Sequence, residues 1–281
     1  MAFFAAALWG IWWIPIRYLE TLGLDGAWGS VAMNAGAGLA ALGWMLGARV
    51  PFQVSRRGVM GAVLVAVAVT TYSVALTLAD VVRVILLFYL APAWGKIIEW
   101  AFMGHRWGWS STIAIVASLS GAYLVLGGEV SLAEIGLGDM LAVLSGVAWA
   151  GGAALIFTGG RAHPMSLSLV TACAAALIGI GFIVLGSGTV VSGDMTAKGM
   201  GVGAAAGILY VLPILALTLW SAQRLSPAVV SFLLTAEILS GVLSGVLFLD
   251  EPFGAMQAAG AVLILFAAAV EVIPVILRKT A

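Results

Sequence analysis

Residues 226–271 read SPAVVSFLLTAEILSGVLSGVLFLDEPFGAMQAAGAVLILFAAAVE. The stretch contains two apolar runs, each long enough to cross the hydrocarbon core of a bilayer, joined by the short turn LDEPFG. One carboxylate, Glu237, falls near the middle of the first run. A charge at that depth costs about 2.5–3.5 kcal/mol on insertion scales, so it requires a partner, a water-filled cavity or a function. The stretch therefore predicts a membrane-spanning helical hairpin that carries a candidate functional acid.

The composition of the whole chain agrees with a membrane protein. Of 281 residues, 63% are hydrophobic and 9% are charged, whereas soluble domains carry about 25% charged residues. The 12 basic residues equal the 12 acidic ones, so the charge balance predicts no nucleic-acid partner. The single cysteine, Cys173, rules out an internal disulfide and favours a packing role.

Apolar runs of spanning length occur ten times along the chain. Only helices or closed barrels satisfy their backbone in lipid, and these runs lack the alternation of barrel strands, so all ten are predicted to be helices. The predicted spans are about residues 3–19, 27–46, 58–78, 81–103, 109–126, 138–157, 165–185, 199–220, 227–249 and 254–276.

The sequence of the hairpin has a weak match in the first half of the chain. Sliding it back by 146 positions places Leu233 on Leu87 and Gly241 on Gly95 without a gap, which indicates a duplication. The predicted repeats are residues 1–128 and 137–281. Five spans per repeat give the two halves opposite orientations, and inverted repeats place a substrate site near the midplane between the halves. The predicted fold is thus an all-α integral membrane protein with ten transmembrane helices in two inverted repeats around a central cavity.

Lys and Arg predict the orientation in the membrane, because positive residues mark cytoplasmic loops. When successive loops are assigned alternately to the two sides of the membrane, most of the Lys and Arg residues fall on one side. Arg17, Arg83 and Lys198 lie at or near the other side. The residues on the first side are Arg49, Arg56, Arg57, Arg106, Arg161, Arg224, Arg278 and Lys279. Both termini are therefore predicted to be cytoplasmic, in a bacterial-type inner membrane.

Several motifs, in this order, resemble the EamA type of the drug/metabolite transporter superfamily. They are LWGIWW at 8–13, ADVVRVILLFYLAPAWGKIIEWAFMGHRW at 79–107, GDMLAVLSGVAWA at 138–150 and RLSPAVVSFLLTAEILSGVLSGVLFLDEPFGAMQAAGAVLIL at 224–265. The chain departs from the family pattern at Ile238, where a proline is usual, and at His105, where the loop usually has an acid. The 79–107 motif further looks like the YddG-type exporters of aromatic and other amino acids. The resemblance implies ten helices, with spans five and ten at the periphery of a basket.

Glu237 is the sharpest candidate for the site. It is interpreted either as a proton or substrate-ammonium site, or as a carboxylate held by a partner helix. Lys96 and Glu99 lie three apart on one helix face and are expected to pair. The alternative is that Lys96 reaches Glu237 across the repeat axis, in which case the two would select a zwitterion.

Aromatic side chains inside the spans are the second set of candidates, since Trp and Tyr usually lie at the membrane interfaces. Those at depth are expected to pack helices or to line a substrate pocket: Tyr72, Tyr89, Trp94, Trp9, Trp149 and Tyr210. Tryptophans near span ends are predicted to be interfacial belt residues: Trp13, Trp28, Trp44, Trp107, Trp109 and Trp220.

Three prolines within spans, Pro15, Pro92 and Pro213, remove backbone donors and can bend helices. They are interpreted as hinges or as static bends. The spacing of Gly43 and Gly47, of Gly199 and Gly203, and of Gly241 and Gly245, four apart in each pair, favours close helix packing, with dimerisation as the alternative.

The predicted function is secondary transport, specifically export of small metabolites by alternating access, with amino acids, aromatic ones among them, as the expected substrates. The alternatives are a multidrug or lipid-linked carrier and a non-transporting membrane sensor. No catalytic, phosphate-binding or metal-ligand motif is evident in the sequence, so an enzyme, a cofactor and a metal are not expected. The expected partners are a small-molecule substrate and membrane lipids, and the chain is expected to be a monomer or a weak homodimer.

Overall fold

The computed structural model describes residues 2–104, 107–125, 135–185, 197–225, 230, 236–249 and 253–280, and every regular element in these ranges is a helix. The helices are α1 (Ala2–Gly10), α2 (Trp13–Thr21), α3 (Trp28–Gly47), α4 (Arg56–Leu78), α5 (Val81–Phe88), α6 (Ala91–Met103), α7 (Trp109–Val125), α8 (Leu137–Thr158), α9 (Pro164–Leu185), α10 (Ala197–Ala206), α11 (Leu212–Ala222), α12 (Ala236–Leu249) and α13 (Ala255–Thr280). A π-helical turn, Gly207–Val211, joins α10 to α11. His105, the hairpin acids Asp250 and Glu251, and the acidic loop with Glu129 and Glu134 lie outside the described residues.

Six helical runs are long and apolar enough to cross a membrane. They are Trp28–Gly47, Arg56–Leu78, Val81–Met103, Leu137–Thr158, Pro164–Leu185 and Ala197–Ala222. Shorter apolar helices cover Trp109–Val125, Ser240–Leu249 and Ala255–Ala267. Large apolar side chains also cover the outside of the bundle, such as Leu46, Phe102 and Leu209, which are 71%, 84% and 78% exposed. A surface of this kind suits lipid rather than water, and the prediction of an all-helical integral membrane protein is confirmed.

Each of the three prolines follows an irregularity in its helix. The first span is interrupted at Ile11 and Trp12, and Pro15 lies in the first turn of α2. The fourth is interrupted at Tyr89 and Leu90, with Pro92 at the start of α6. A proline has no N–H for the carbonyl four residues earlier and its ring crowds that carbonyl. The first and fourth spans, expected to be continuous, are therefore each two helices.

The eighth span is irregular at its proline as well. Pro213 is the second residue of α11, and the π-helical turn occupies the five residues just before this helix. A π turn accommodates the backbone that proline prevents from closing a normal α-helical ladder. An interruption of the regular helix thus precedes all three prolines that the sequence indicated.

The helices pack around a common apolar core to which all of α1–α13 contribute buried or partly buried side chains, α7 through Ala122 and Val125. The largest contacts join α4 to α8, α7 to α13, and α3 to α9. Beyond their contact with each other, α7 and α13 touch α5 and α6 only slightly. They therefore lie at the edge of the bundle.

Close approach of α3 to the π-helical turn depends on Gly207. A β-carbon there would collide with the carbonyl oxygen of Met33 and would lie 2.8 Å from the nitrogen of Ala37, both of them backbone atoms of α3. By contrast, Gly43 and Gly47 have no atom within 4 Å of a built β-carbon in the described chain. The prediction that this glycine pair packs helices within the chain is therefore wrong.

We expect Gly207→Ala to destabilise the protein by about 1–3 kcal/mol, the usual cost of forcing extra volume into a packed contact. The change should appear as a lower melting temperature of the purified protein in one detergent. Gly43→Ala is the matched control, because it adds the same methyl group where there is space and should leave the melting temperature unchanged or slightly higher. Equal melting temperatures for both variants would contradict the packing role of Gly207.

Candidate functional site

A narrow internal cavity lies where helices from both halves of the chain meet. It is lined by Trp9 of α1, Ala68, Val69 and Tyr72 of α4, Phe88 of α5, Trp149 of α8, Thr218 of α11 and Glu237 of α12. Its volume is about 40 Å³, enough for a few water molecules. The sequence predicted four of these residues: Trp9, Tyr72, Trp149 and Glu237.

Glu237 is the charged residue that lines this cavity, and each of its two carboxylate oxygens accepts a hydrogen bond. The side chain is 4% exposed. The hydroxyl of Tyr72 donates to Oε1 at 2.8 Å, and the hydroxyl of Tyr89 donates to Oε2 at 3.1 Å. Hydrogen bonds to a charged group are worth about 1.5–3 kcal/mol each, so two phenols offset much of the cost of burying the acid. Glu237 therefore has defined partners on α4 and at the α5–α6 break.

Aromatic contacts fix the positions of these two tyrosines. The ring of Phe88 lies between them, with its centroid 5.2 Å from that of Tyr72 and 5.4 Å from that of Tyr89, the latter in an edge-to-face arrangement. Edge-to-face pairs contribute about 0.5–1.5 kcal/mol beyond apolar burial. Because Tyr89 directly follows α5, the interruption of the fourth span is what turns its hydroxyl to the acid.

The backbone of α1 lies directly against that of α12 at the level of the acid. A β-carbon on Gly10 would lie 2.5 Å from the carbonyl oxygen of Glu237 and would collide with the hydroxyl of Ser240. Only a glycine permits this distance, so Gly10 lets the first span pass close beside the acid.

Three tryptophans of the first span donate their indole N–H groups to hydroxyls on three other helices. Trp9 donates to Thr218 of α11 at 3.0 Å, Trp12 to Ser73 of α4 at 3.0 Å, and Trp13 to Ser244 of α12 at 2.9 Å. Trp13 is 6% exposed. The expectation that Trp13 belongs to an interfacial belt is therefore wrong, because its indole is used inside the bundle.

The remaining candidates lie outside the lining of the cavity. Tyr210 donates its hydroxyl to the carbonyl of Leu8 and stacks on Trp12 at 6.0 Å, joining the π-helical turn to the first span. Trp94 is half-buried on α6. Lys96 pairs with Glu99 at 3.8 Å, as expected from their spacing. The carboxylate of Glu237 accepts its hydrogen bonds from Tyr72 and Tyr89 instead. The alternative pairing of Lys96 with Glu237 is not formed.

An ion pair between the halves was not anticipated from the sequence. The guanidinium of Arg83, near the start of α5, binds both carboxylate oxygens of Asp139, in the first turn of α8, at 2.6 and 2.7 Å. Asp139 also accepts the N–H of Gly136 at 3.0 Å. Loop assignment places Arg83 at or near the side opposite the cytoplasm, but a pairing across 56 positions depends on tertiary structure. Thr218 and Phe88 were missed because such residues are common in apolar helices.

The site offers one carboxylate and several hydrogen-bonding groups. Within the described residues, no group of three or more His, Cys, Asp or Glu side chains is placed to hold a metal ion. The lining of the cavity provides one carboxylate, one phenol, one hydroxyl and several aromatic faces for binding, and the phenol of Tyr89 reaches the carboxylate from outside the lining.

These features define a helical integral membrane protein with a narrow acidic cavity between its helices. Residues 136–272 match the model of the EamA-like transporter family, and this match supports the resemblance to the EamA type of the drug/metabolite transporter superfamily. The family points to a transporter rather than an enzyme.

Comparison with solved structures supports the same fold. One crystal structure is 19% identical in sequence, covers 97% of this chain and 97% of its own, and has a TM-score of 0.65. At this identity the likeness concerns the fold alone. No curated protein matched the sequence.

Proposed function

We propose that the protein is a secondary transporter that exports small metabolites bearing an amino group, with amino acids, aromatic ones among them, as the expected substrates. The single observation that carries this proposal is the buried carboxylate of Glu237 beside Trp9, Tyr72, Phe88 and Trp149. A carboxylate provides the counter-charge for an ammonium group, and aromatic faces attract both cations and planar side chains.

The pattern of helix contacts supports the proposed inverted repeats, residues 1–128 and 137–281. Each of the ten spans can be exchanged for its counterpart in the other repeat, five spans away. The contact of α4 with α8 then becomes the contact of α11 with α1. The contacts of α8 with α5 and α6 become the contact of α1 with α12. The contacts α3–α9, α5–α12 and α7–α13 map onto themselves. A pseudo-two-fold axis would produce such a map, and it would pass near the acid.

The size of the cavity supports alternating access. About 40 Å³ is far below the roughly 300–1,000 Å³ of pockets that hold small organic ligands. The cavity must therefore expand before it admits substrate. The interruptions that precede Pro15, Pro92 and Pro213 divide three spans into segments, which makes these prolines the proposed hinges for rocking one repeat against the other.

A second candidate, transport of organic cations as in a multidrug carrier, is favoured by a specific observation. Glu237 is the only ionisable acid among the described lining residues, and no basic side chain accompanies it there. A zwitterion would bring a carboxylate without a matching cation, since Lys96 is paired with Glu99. The cavity is thus better matched in charge to an amine than to an amino acid.

The proposed location is the bacterial inner membrane with both termini in the cytoplasm, in line with the distribution of Lys and Arg. A monomer or weak homodimer remains the proposed assembly. Energy coupling by proton exchange through Glu237 and uniport are both compatible with this site.

Counterflow in proteoliposomes tests the proposal. Vesicles loaded with an unlabelled compound are supplied with the labelled one, using tryptophan, tryptamine, a quaternary ammonium drug and a nucleotide sugar, with protein-free liposomes as the control. We expect accumulation of the aromatic amino acid and the amine, and none of the nucleotide sugar. Transport of only the amine and the drug would select the second candidate. Saturable binding without counterflow for any compound would overturn transport and favour a membrane sensor.

A further inference from the structure

A second, larger cleft opens on the side of the bundle between α4, α6 and α8. Its volume is about 640 Å³, within the usual range for pockets that bind small organic molecules. Its walls include Leu64 of α4, Ile98 and Phe102 of α6, and Gly151 of α8. Different residues line the cavity around Glu237, so the cleft is a separate site.

The cleft runs inward from one end of the bundle. The hydroxyl of Ser55, which caps α4, donates to the carbonyl of Gly159 at 2.5 Å, so the start of α4 and the end of α8 lie at the same level. The lining extends from Arg57 to Leu64 along α4, and seven residues of helix rise about 10 Å. The opening is therefore near the water interface, and the floor lies within the apolar part of the membrane.

The cleft opens to the outside of the bundle, and its walls at Leu64, Ile98 and Gly151 are half-buried. Phe102, at one edge, is 84% exposed. Gly151 belongs to the floor of the cleft, next to Leu64, because a β-carbon on Gly151 would lie 3.3 Å from Cδ1 of Leu64. In a bilayer such a groove is bathed in lipid tails, and an acyl chain fills it without exposing apolar surface to water.

The open end of the cleft is positively charged. Arg57 belongs to the lining and its side chain is exposed. No carboxylate is present among the described lining residues, and the described chain forms no ion pair to Arg57. Arg56 and Arg161 are also exposed at this end, which is the side predicted to be cytoplasmic. Basic pockets between transmembrane helices on that side suit anionic lipid headgroups.

We propose that this cleft binds an anionic phospholipid, with one acyl chain between α4, α6 and α8 and the phosphate at Arg57. The proposal is independent of the transported substrate. Its carrying observations are the apolar lining of the groove and the position, at its interfacial end, of the Arg57 guanidinium, which forms no ion pair with the part of the chain that the structure describes.

Lipid titration of the intact, delipidated protein in detergent tests this site, with bound lipid counted by native mass spectrometry. Phosphatidylglycerol and phosphatidylcholine of equal chain length are the two probes. We expect tighter binding of phosphatidylglycerol and a loss of about fivefold in its affinity in Arg57→Gln, the effect of one basic residue near a membrane surface. Arg49→Gln, which removes another arginine predicted to lie on the same side, is the matched control and should retain wild-type affinity.

A variant of the floor separates the acyl chain from the headgroup. Gly151→Leu fills the groove with a side chain and should lower binding of phosphatidylglycerol, while soluble glycerol phosphate should not compete with the lipid. Equal affinity of the wild type for both lipids, or an affinity for phosphatidylglycerol that neither Arg57→Gln nor Gly151→Leu lowers, would overturn the proposal. A melting temperature measured without lipid confirms that each variant is folded.

Discussion

Glu237→Gln is expected to lower counterflow of an ammonium-bearing substrate by about 100-fold, equivalent to about 2.7 kcal/mol, the order of effect seen when one partner of a buried charge pair is neutralised. Glutamine keeps the shape of the side chain and still accepts a hydrogen bond from Tyr72 or Tyr89. It removes the only carboxylate among the described residues that line the cavity. The protein should therefore stay folded while losing its counter-charge.

Two further variants show whether charge or hydrogen bonding is responsible. Tyr72→Phe keeps the aromatic wall and removes the 2.8 Å hydrogen bond to Oε1, so we expect a smaller loss, about tenfold, which corresponds to about 1.4 kcal/mol. Glu20→Gln neutralises a carboxylate near the end of α2 that pairs with Arg17 and does not line the cavity. This variant should leave counterflow unchanged. Wild-type flux in Glu237→Gln would contradict an ammonium site.

The pH profile of the same assay addresses energy coupling. Glutamine does not titrate between pH 5 and 9, so any part of the pH dependence of flux that arises from Glu237 disappears in Glu237→Gln. If proton exchange uses this acid, the residual flux of the variant should be flat across that range while the wild type responds. A profile identical to that of the wild type would remove Glu237 from the coupling role.

Arg83→Met is expected to destabilise the protein by about 2–3 kcal/mol, because it leaves the carboxylate of Asp139 buried with one hydrogen bond from Gly136. The Asp139 side chain is 7% exposed and that of Arg83 is 29% exposed, so the cost falls below that of a fully buried pair. For a chain of this size the melting temperature should fall by roughly 3–5 °C. Thermal unfolding of the purified protein in one detergent measures it.

The matched control is Arg17→Met. The pair of Arg17 with Glu20 is longer, at 3.7 Å, more exposed, and formed within one helix, so its loss should cost about 0–1 kcal/mol. The double variant Arg83→Met/Asp139→Asn removes both charges and retains an acceptor for the N–H of Gly136. It should recover most of the stability lost in Arg83→Met. A double variant as unstable as the single one would show that the carboxylate left unpaired is not the cause.

Much of the site could be predicted because membrane burial makes polar residues conspicuous. Glu237 is conspicuous as a single acid in an apolar run. Tyr72, Trp9 and Trp149 are conspicuous because they lie inside the predicted spans, whereas Trp and Tyr usually lie at the membrane interfaces. The helix interruptions that precede Pro15, Pro92 and Pro213 follow from the missing N–H of proline. These inferences need only the local sequence and the physics of the bilayer.

The parts that could not be predicted depend on which helices meet. The pairing of Arg83 with Asp139 joins helices of different halves, and the inward orientation of Trp13 depends on Ser244, 231 positions away. The spacing of Gly43 and Gly47 has the form of a packing motif, yet its face of α3 is turned outward in the described chain. The periodicity of a sequence identifies one face of a helix but does not show which other helix packs against that face.

The three indole hydrogen bonds of the first span give the protein its own spectroscopic reporters. Each N–H of Trp9, Trp12 and Trp13 has a hydroxyl acceptor on a different helix, so a displacement of α11, α4 or α12 changes a different indole resonance in a proton–nitrogen correlation spectrum. Single Trp→Phe variants would assign the three signals among the 11 tryptophans of the chain. Substrate could then be titrated without any attached label, and the order in which the signals shift would give the sequence of helix movements.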